Sequence, residues 1–234
     1  VNVATDGSGN ASFSQTLAMA VPAGYVISAT ATKSDAGYAT FSDTSEFGAN
    51  KVASTNTSIN VNATRDTYIK LKDPTFNYGT STSLVIDRES NDLQRALLYF
   101  DLASLPPNAV ITGATLQMQS TQVGGQLNIS VYEMQRDWVE GTSNGTPGNG
   151  NWNAASTGNN WSSAGGDYNT TAIANLSTNT TGQHTWDLTP LVQSWANGSK
   201  SNFGIMVSSP DGGGNRTARI RRVSIRGKPA ARGL

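Results

Sequence analysis

Along most of this chain, apolar residues recur every second position. In DTYIKLKD (66–73), Thr67, Ile69 and Leu71 fall on one face and Tyr68, Lys70 and Lys72 on the other. In RALLYFDL (95–102), Ala96, Leu98 and Phe100 oppose Arg95, Leu97, Tyr99 and Asp101, so much of both faces is apolar, as in a central strand. VITGATLQMQS (110–120) sets Val110, Thr112, Ala114, Leu116 and Met118 against Ile111, Gly113, Thr115, Gln117 and Gln119. LNISVYEM turns Leu127, Ile129 and Val131 inward, and FGIMVSS presents Phe203, Ile205 and Val207 alike. Period-two alternation in several turn-bounded runs predicts an all-β, antiparallel, jelly-roll-like β-sandwich.

One run breaks the period. DLTPLVQSWANG (187–198) predicts a short helix with Thr189 as N-cap, Pro190 at the first helical position and Gly198 at the C-cap. Leu191 and Trp195 fall on one face, four residues apart, and so short a helix persists only if docked, which makes Trp195 a docking residue. Two tryptophans, Trp138 and Trp152, flank a loop rich in Gly, Asn, Ser and Thr. They read either as a sugar platform or as pins that hold a long turn to the sandwich.

Residues 1–54 carry turn signals at DGSGN (6–10) and PAG (22–24) between short alternating runs around Phe13 and from Tyr25. Three short strands do not close a sandwich. The segment reads as the C-terminal strands of a preceding immunoglobulin-like or capping β-domain, a small N-terminal β segment before a main domain at 55–215. The chain opens at Val1 without an initiator Met, which reads as a fragment or mature piece of a larger chain with any export signal upstream.

Composition narrows the function. Of 234 residues only 14% are charged, against about 25% in an ordinary domain. No cysteine is present, which excludes disulfides, thiol catalysis and thiolate metal sites. A polar, weakly charged surface of this kind points to a secreted or cell-surface protein. No apolar run of membrane-spanning length occurs, so no membrane insertion is expected. The zero net charge hides an asymmetry: Arg216, Arg219, Arg221, Arg222, Arg226, Lys228 and Arg232 crowd the end with no acid among them. This basic tail, 216–234, reads as a last strand in RVSIRG, with Val223 and Ile225 on one face, or as a divergent end. No nucleic-acid motif accompanies it, and nucleic acid is not an expected partner.

Catalysis finds little footing. His184 is the single histidine, and it sits in a strand-like run. Asp87, Glu89 and Asp92 cluster in one short stretch, which reads as an exposed turn. The chain is expected to be non-catalytic.

Several blocks together carry a resemblance: Asp66-Thr67-Tyr68, Asn77-Tyr78-Gly79, RALLYFDLASLPPNAVITGATLQM, YEMQRDWVEG, TWDLTPLVQSWANG and NFGIMVSS, in that order. The chain resembles the DNRLRE domain, which overlaps carbohydrate-binding module family 96, over roughly residues 59–210. The resemblance implies a jelly-roll-like sandwich in secreted or surface-attached bacterial proteins, beside other domains, with some members binding acidic polysaccharides through basic residues and an aromatic. Trp138, Trp152, Trp186 and Trp195 occupy places that belong to the family pattern, which favours the reading of pins over platform. Trp161 and Tyr168 fit that pattern less and are stacking candidates.

Sugar recognition needs flat aromatic faces and polar side chains, and uronic acids add a demand for Lys or Arg. Tyr68, Lys70 and Lys72 meet that demand on one strand face, with Arg88 and Arg95 expected to converge across the sheet. The expected partner is a polysaccharide, with a uronic-acid-containing chain as candidate. The alternative is a structural spacer or adhesion module without a glycan ligand. A structural calcium ion is a candidate cofactor, with Asp66, Asp73 and Asp101 as candidate ligands.

Overall fold

A computed structural model describes residues 2–4, 6–8, 25–35, 37, 39–45, 51–52, 58–89, 91–106, 109–210 and 217–230; 51–52 and, apart from Ala218, 217–230 are described by their backbone alone. Its contacts divide the chain between Thr55 and Asn56.

In the N-terminal unit, β1 (Val26–Ile27) pairs antiparallel with β4 (Lys51–Val52), and β2 (Thr32–Ser34) with β3 (Phe41–Thr44). The β2–β3 turn is organised by Asp35, whose carboxylate accepts the amides of Gly37, Ala39 and Thr40 and the Thr40 hydroxyl. Tyr25 and Phe41 are 64% and 66% exposed. The run expected around Phe13 lies outside the described residues.

The second unit, Asn56–Ala230, contains β5 (Ile59–Lys70), β6 (Phe76–Asn77), β7 (Leu84–Asp87), β8 (Gln94–Phe100), β9 (Val110–Val123), β10 (Leu127–Glu133), β11 (Thr146–Pro147), β12 (Ala154–Ser156) and β13 (Asn159–Asn160). These are followed by β14 (Ala174–Thr178), β15 (Gly182–Asp187), helix α1 (Thr189–Ala196), β16 (Ile205–Ser208) and β17 (Thr217–Ala230). An antiparallel ladder runs β14-β10-β16-β8-β5-β17-β9-β15, with β7 pairing both β17 and β8. It doubles over into two layers, as an all-β sandwich does. Leu127, Ile129 and Val131 of β10 meet Leu116 and Met118 of β9 and Trp186 of β15 in one core, and the Trp186 indole donates across it to the Ile129 carbonyl at 3.3 Å.

The turn from one layer to the other lies in β5. Its first residues pair with β17, from Ile59↔Gly227 to Asn62↔Ser224, and its remainder pairs with β8. The register slips between Ala63↔Phe100 and Arg65↔Tyr99, which leaves Thr64 unopposed as a bulge. Such a bulge bends a strand and lets it change sheet. Beyond it, alternation holds as the sequence predicts: Thr67 and Ile69 are fully buried on one side, and Tyr68 and Lys70 are half-buried on the other.

β8 is central. Ala96, Leu98 and Phe100 join the core between the layers, while Leu97 on the opposite face joins a second apolar cluster with Ile69, Tyr132, Met134, Trp138, Trp152, Trp161 and Met206. The outer face of this sheet is therefore covered by the chain between β10 and β14, and the fold gains a third layer of loop.

Two expectations shift in detail. In β9 the register slips between Gly113↔Lys228 and Ile111↔Pro229. The phase reverses there, so Ile111 is buried and Val110 is 40% exposed. At α1 the N-cap is Leu188, with no side-chain cap bond. The Thr189 hydroxyl serves the neighbouring strand instead, donating to Asp187 at 2.6 Å and accepting the Ala114 amide at 2.9 Å. Gly198, one residue past the C-cap Asn197, takes φ +71° and ends the helix. Leu191, Val192 and Trp195 are buried in the inter-layer core, so Trp195 docks the helix as expected. The basic end supplies β17, which runs beside β9 for most of its length.

Candidate functional site

The loop layer is built on buried aromatic rings. Trp138 is 1% exposed and its indole donates to the Phe203 carbonyl at 3.1 Å; Trp152 is 5% exposed. Both lie in the second cluster as pins of the loop, so neither ring offers a platform. Asn77, at 0% exposure, fastens the segment between them. Its amide donates to the carbonyls of Glu140 and Asn149, and its oxygen accepts Gly79 N–H, Ser143 N–H and the Ser143 hydroxyl at 3.1–3.2 Å. A Cβ on Gly79 would stand 2.4 Å from the Glu140 carbonyl oxygen, so only glycine lets the two segments meet. The Asn77-Tyr78-Gly79 block thus positions a loop.

On the outside of this layer three shallow depressions of about 430, 450 and 340 Å³ adjoin. The first meets the second at Arg136 and the third at Gln135. Each is of the size of a small-ligand site. They adjoin as one open surface that mixes hydroxyl and amide groups with the charged side chains of Glu133, Arg136, Asp137, Asp167 and Lys200 and apolar ones such as Met134, Val139 and Phe203. Tyr168 stands at its centre.

Tyr168 is held rigidly. Its strand-like neighbours extend the β10 ladder through Asn169 N to Glu133 O and Gln135 N to Asp167 O, both 2.9 Å. The ring packs edge-on to Tyr132, with centroids 5.2 Å apart. Behind it, the Arg95 guanidinium lies 5.3 Å from the Tyr168 centroid and 4.9 Å from that of Trp152, and donates to the Gly165 carbonyl at 2.6 Å. Burial holds the Arg95 guanidinium below its usual basicity, while Tyr168 and Tyr132 act the other way. A desolvated cation–π contact of this kind stabilises by about 1–2 kcal/mol. Gly165 (φ +97°) makes the approach feasible: a Cβ there would meet Arg95 Nη1 at 2.7 Å and the Trp152 ring at 2.9 Å.

Charge in the groove is arranged in pairs. Arg136 Nε lies 3.0 Å from Asp167, whose carboxylate also accepts the Ser162 and Ser163 amides at 3.0 and 3.1 Å. Burial pushes Asp167 up, but those amides, the Ser162 hydroxyl and Arg136 outweigh it and hold the group below the usual carboxylate value. Lys200 Nζ sits 2.6 Å from Glu133. Arg65 reaches Asp137 at 2.9 Å and stacks over Tyr99, its guanidinium carbon 4.0 Å from the ring centroid.

The residues expected to form one site are distributed over both faces of the sheet. Opposed residues share a face, and Arg95 opposes Ile69 whereas Tyr68 opposes Ala96. Arg95 therefore points away from Tyr68 and Lys70, contrary to the expected convergence, because adjacent residues of β5 alternate sides. Tyr68 stacks on the buried Tyr78, with centroids 4.3 Å apart. Lys70 is 2.8 Å from Asp73 and 3.7 Å from Asp92; the Asp73 bond raises its ammonium above the usual value and lowers Asp73 in turn. Lys72 is exposed just past β5, and Arg88 is half-buried just after β7. Trp161 corrects the expectation of an open stacking ring: it is 5% exposed and its indole donates to Asn151 O at 2.8 Å, beneath the groove. Of the candidate sugar-binding residues Tyr68, Lys70, Lys72, Arg88, Arg95, Trp161 and Tyr168, Tyr168 reaches the groove wall; Trp138, 1% exposed, meets it from beneath.

The candidate calcium ligands have separate environments. Burial raises Asp66; Asp73 is taken up by Lys70 and the Tyr78 hydroxyl; Asp101 accepts the Ala103 amide at 2.9 Å. No group of three or more metal-ligating acidic, histidine or cysteine residues converges among the described residues. His184 is 2.8 Å from the Ser120 hydroxyl, a structural bond between β15 and β9 at the end of the core.

Sequence reasoning missed Gln135, Arg136, Ser162, Ser163, Asp167, Thr170 and Lys200 as groove residues. The signal for most of them was the polar, glycine-paired run around Tyr168. Lys200, from beyond α1, had none.

The fold is an antiparallel β-sandwich whose loop layer carries an open surface of mixed polarity around Tyr168. The chain belongs to carbohydrate-binding module family 96, whose family model matches residues 57–222. No curated protein matches it.

Proposed function

We propose that this domain is a non-catalytic carbohydrate-binding module that holds a polysaccharide in the loop-layer groove around Tyr168. The observation that carries the reading is the run of three adjoining open depressions, which offers hydroxyl, amide and charged groups about a ring fixed from behind by Arg95. An open groove accepts the interior of a long chain, whereas a closed pocket selects its end. Membership of the family supports the ligand class. Among the described residues no helix is long and apolar enough to cross a membrane. The weakly charged surface supports work on a secreted or cell-surface protein, beside other domains of a larger chain. The exposed Lys72 supports a uronic-acid-containing ligand on the early strands, but Lys70 beside it already holds Asp73 and Asp92.

Affinity electrophoresis of the chain through gels containing polysaccharides tests the reading. Retardation is expected from at least one polymer. Tyr168→Ala should weaken it about tenfold, equivalent to about 1.4 kcal/mol, while a Tyr68→Ala/Lys70→Ala variant retains it. Loss in the double variant alone would move the site to the early strands. A folded protein retarded by nothing would favour the spacer.

A further inference from the structure

The sequence crowds basic residues at the end of the chain, and a polysaccharide site about Tyr168 gives them no task. Five of those seven, Arg219, Arg221, Arg222, Arg226 and Lys228, fall within β17, with no acid among them. β17 is an inner strand, with β5 on one side and β9 on the other, and β15 lies beyond β9. Register divides its residues between two faces. Val223, Ile225 and Gly227 oppose Met118, Leu116 and Ala114, which are buried between the layers. Arg221, Ser224, Arg226 and Lys228 oppose Gln119, Gln117, Thr115 and Gly113, and so hold positions on the outer face. Arg222 is the unopposed residue of the bulge between Arg221 and Val223.

This face lies on the side of the sandwich away from the loop layer, and its neighbouring strands leave it open. Asn60 and Asn62 of β5 lie opposite Arg226 and Ser224. Asp187, Thr185 and Gln183 of β15 lie opposite Thr115, Gln117 and Gln119. Asn60, Asn62, Gln119, Gln183, Thr185 and Asp187 are exposed. The rows are thus amides and hydroxyls with a line of cations through them. Asp187 is the acid among their described side chains; it stands on the edge strand and already accepts the Thr189 amide at 2.8 Å and the Thr189 hydroxyl at 2.6 Å.

Alternate residues of a strand stand roughly 6.8 Å apart, so Arg226 and Lys228, with Arg221 further along, suit an extended chain bearing repeated anions. Arginine predominates, and its planar guanidinium takes a phosphate through two parallel N–H bonds. None of the positions in these rows is aromatic. A pyranose would find no ring to stack on here, and neither would single-stranded nucleic acid, which is held by base stacking as well as by charge. Charge and hydrogen bonding alone fit a polymer of phosphates joined by short links. We propose that the outer face of β5, β17, β9 and β15 binds a linear phosphate polymer, with Arg221, Arg226 and Lys228 as its cations, at a site separate from the groove about Tyr168.

Calorimetric titration of the full chain with long-chain inorganic polyphosphate, a lipid-free glycerol-phosphate polymer, polygalacturonate and a thymidine oligonucleotide tests the proposal. Saturable binding of one of the first two is expected, and the tighter of them names the source. Raising salt from roughly 0.05 to 0.5 M should weaken it by about a hundredfold, as release of counterions from three phosphates requires. Arg226→Gln/Lys228→Gln should weaken it by about tenfold or more at low salt. Because β17 holds the two layers together, a second variant leaves that strand intact: Asn62→Asp/Gln119→Glu adds acid to the same face from exposed positions of β5 and β9. With a thermal melt like that of the parent, it too should bind about tenfold more weakly. Binding that both double variants keep, or that Tyr168→Ala removes, would overturn the proposal. So would tighter binding of the oligonucleotide or of polygalacturonate, or no binding of either phosphate polymer by the folded chain.

Discussion

Asp66 and Glu140 put two carboxylates close together in a partly buried corner where β5 meets the loop layer. Glu140 accepts the Asp66 backbone amide at 3.2 Å. Burial raises both groups; for Glu140 the bond from the Asp66 amide and the charge of Arg65 oppose it, while the charge of Asp66 adds to it. A carboxyl whose folded value exceeds its unfolded one binds its proton more tightly in the native state. Stability is then lost as pH rises through the window above the ordinary values of 3.8 and 4.5. Asp66→Asn removes this penalty and keeps the backbone amide. Its urea midpoint should lie above that of the parent at about pH 7 and converge with it near pH 3, where both side chains are neutral. Equal shifts at the two pH values would sink the electrostatic account. The sequence marked Asp66 as a candidate calcium ligand at the start of a strand-like run; Glu140, more than seventy positions on, is brought to it by folding.

At the scale of elements, α1 illustrates how a local signal can be right about a helix and wrong about its cap. Pro190 and Gly198 bound the helix as their chemistry requires. The Thr189 hydroxyl, which fits an N-cap on sequence grounds, joins Asp187 and Ala114 because β15 delivers it against the β9 edge. What holds the helix is packing. Trp195→Ala should lower stability by about 3–5 kcal/mol through the cavity left between helix and sheet, whereas Thr189→Ala should cost about 1 kcal/mol, one hydrogen bond's worth. Chemical denaturation of the two variants checks the ratio; comparable losses would mean that the helix is held by its end and not by its face. The loop layer shows the same division. Trp138 and Trp152 were legible as pins only through the family resemblance, since the residues alone left a sugar platform open, and Trp161 was misplaced because exposure depends on what lies above a ring.

For the whole molecule, the decisive strand is the last. β17 lies between β9 and β5 and also pairs with β7, so it closes the path from one layer to the other. A chain ended after Asn215 would expose the ladder edges of β9, β5 and β7 together. It should lose cooperative thermal unfolding and bind an apolar dye at room temperature. A truncated chain that melts as sharply as the parent would show that β17 is dispensable. The alternation at Val223 and Ile225 hinted at a strand, yet its crowding with arginine equally suited a tail, and pairing partners more than a hundred residues away settled the matter.

Period-two alternation determined the all-β class, the central place of β8 and the inward residues of β10 and β16, and the four-residue spacing of Leu191 and Trp195 between Pro190 and Gly198 determined the docked helix, because each depends on which side chains leave water together along a short stretch. Tertiary structure decided what depends on distant chain or on a single inserted residue. The bulge at Thr64 bends β5 between sheets, and the slip in β9 exchanges Val110 for Ile111. Register turns Arg95 away from Lys70 and under Tyr168. The groove joins Tyr168 and Arg136 from one loop to Lys200 from beyond the helix. Its charges are paired across those separations, and a sequence carries the number of charges but not their partners.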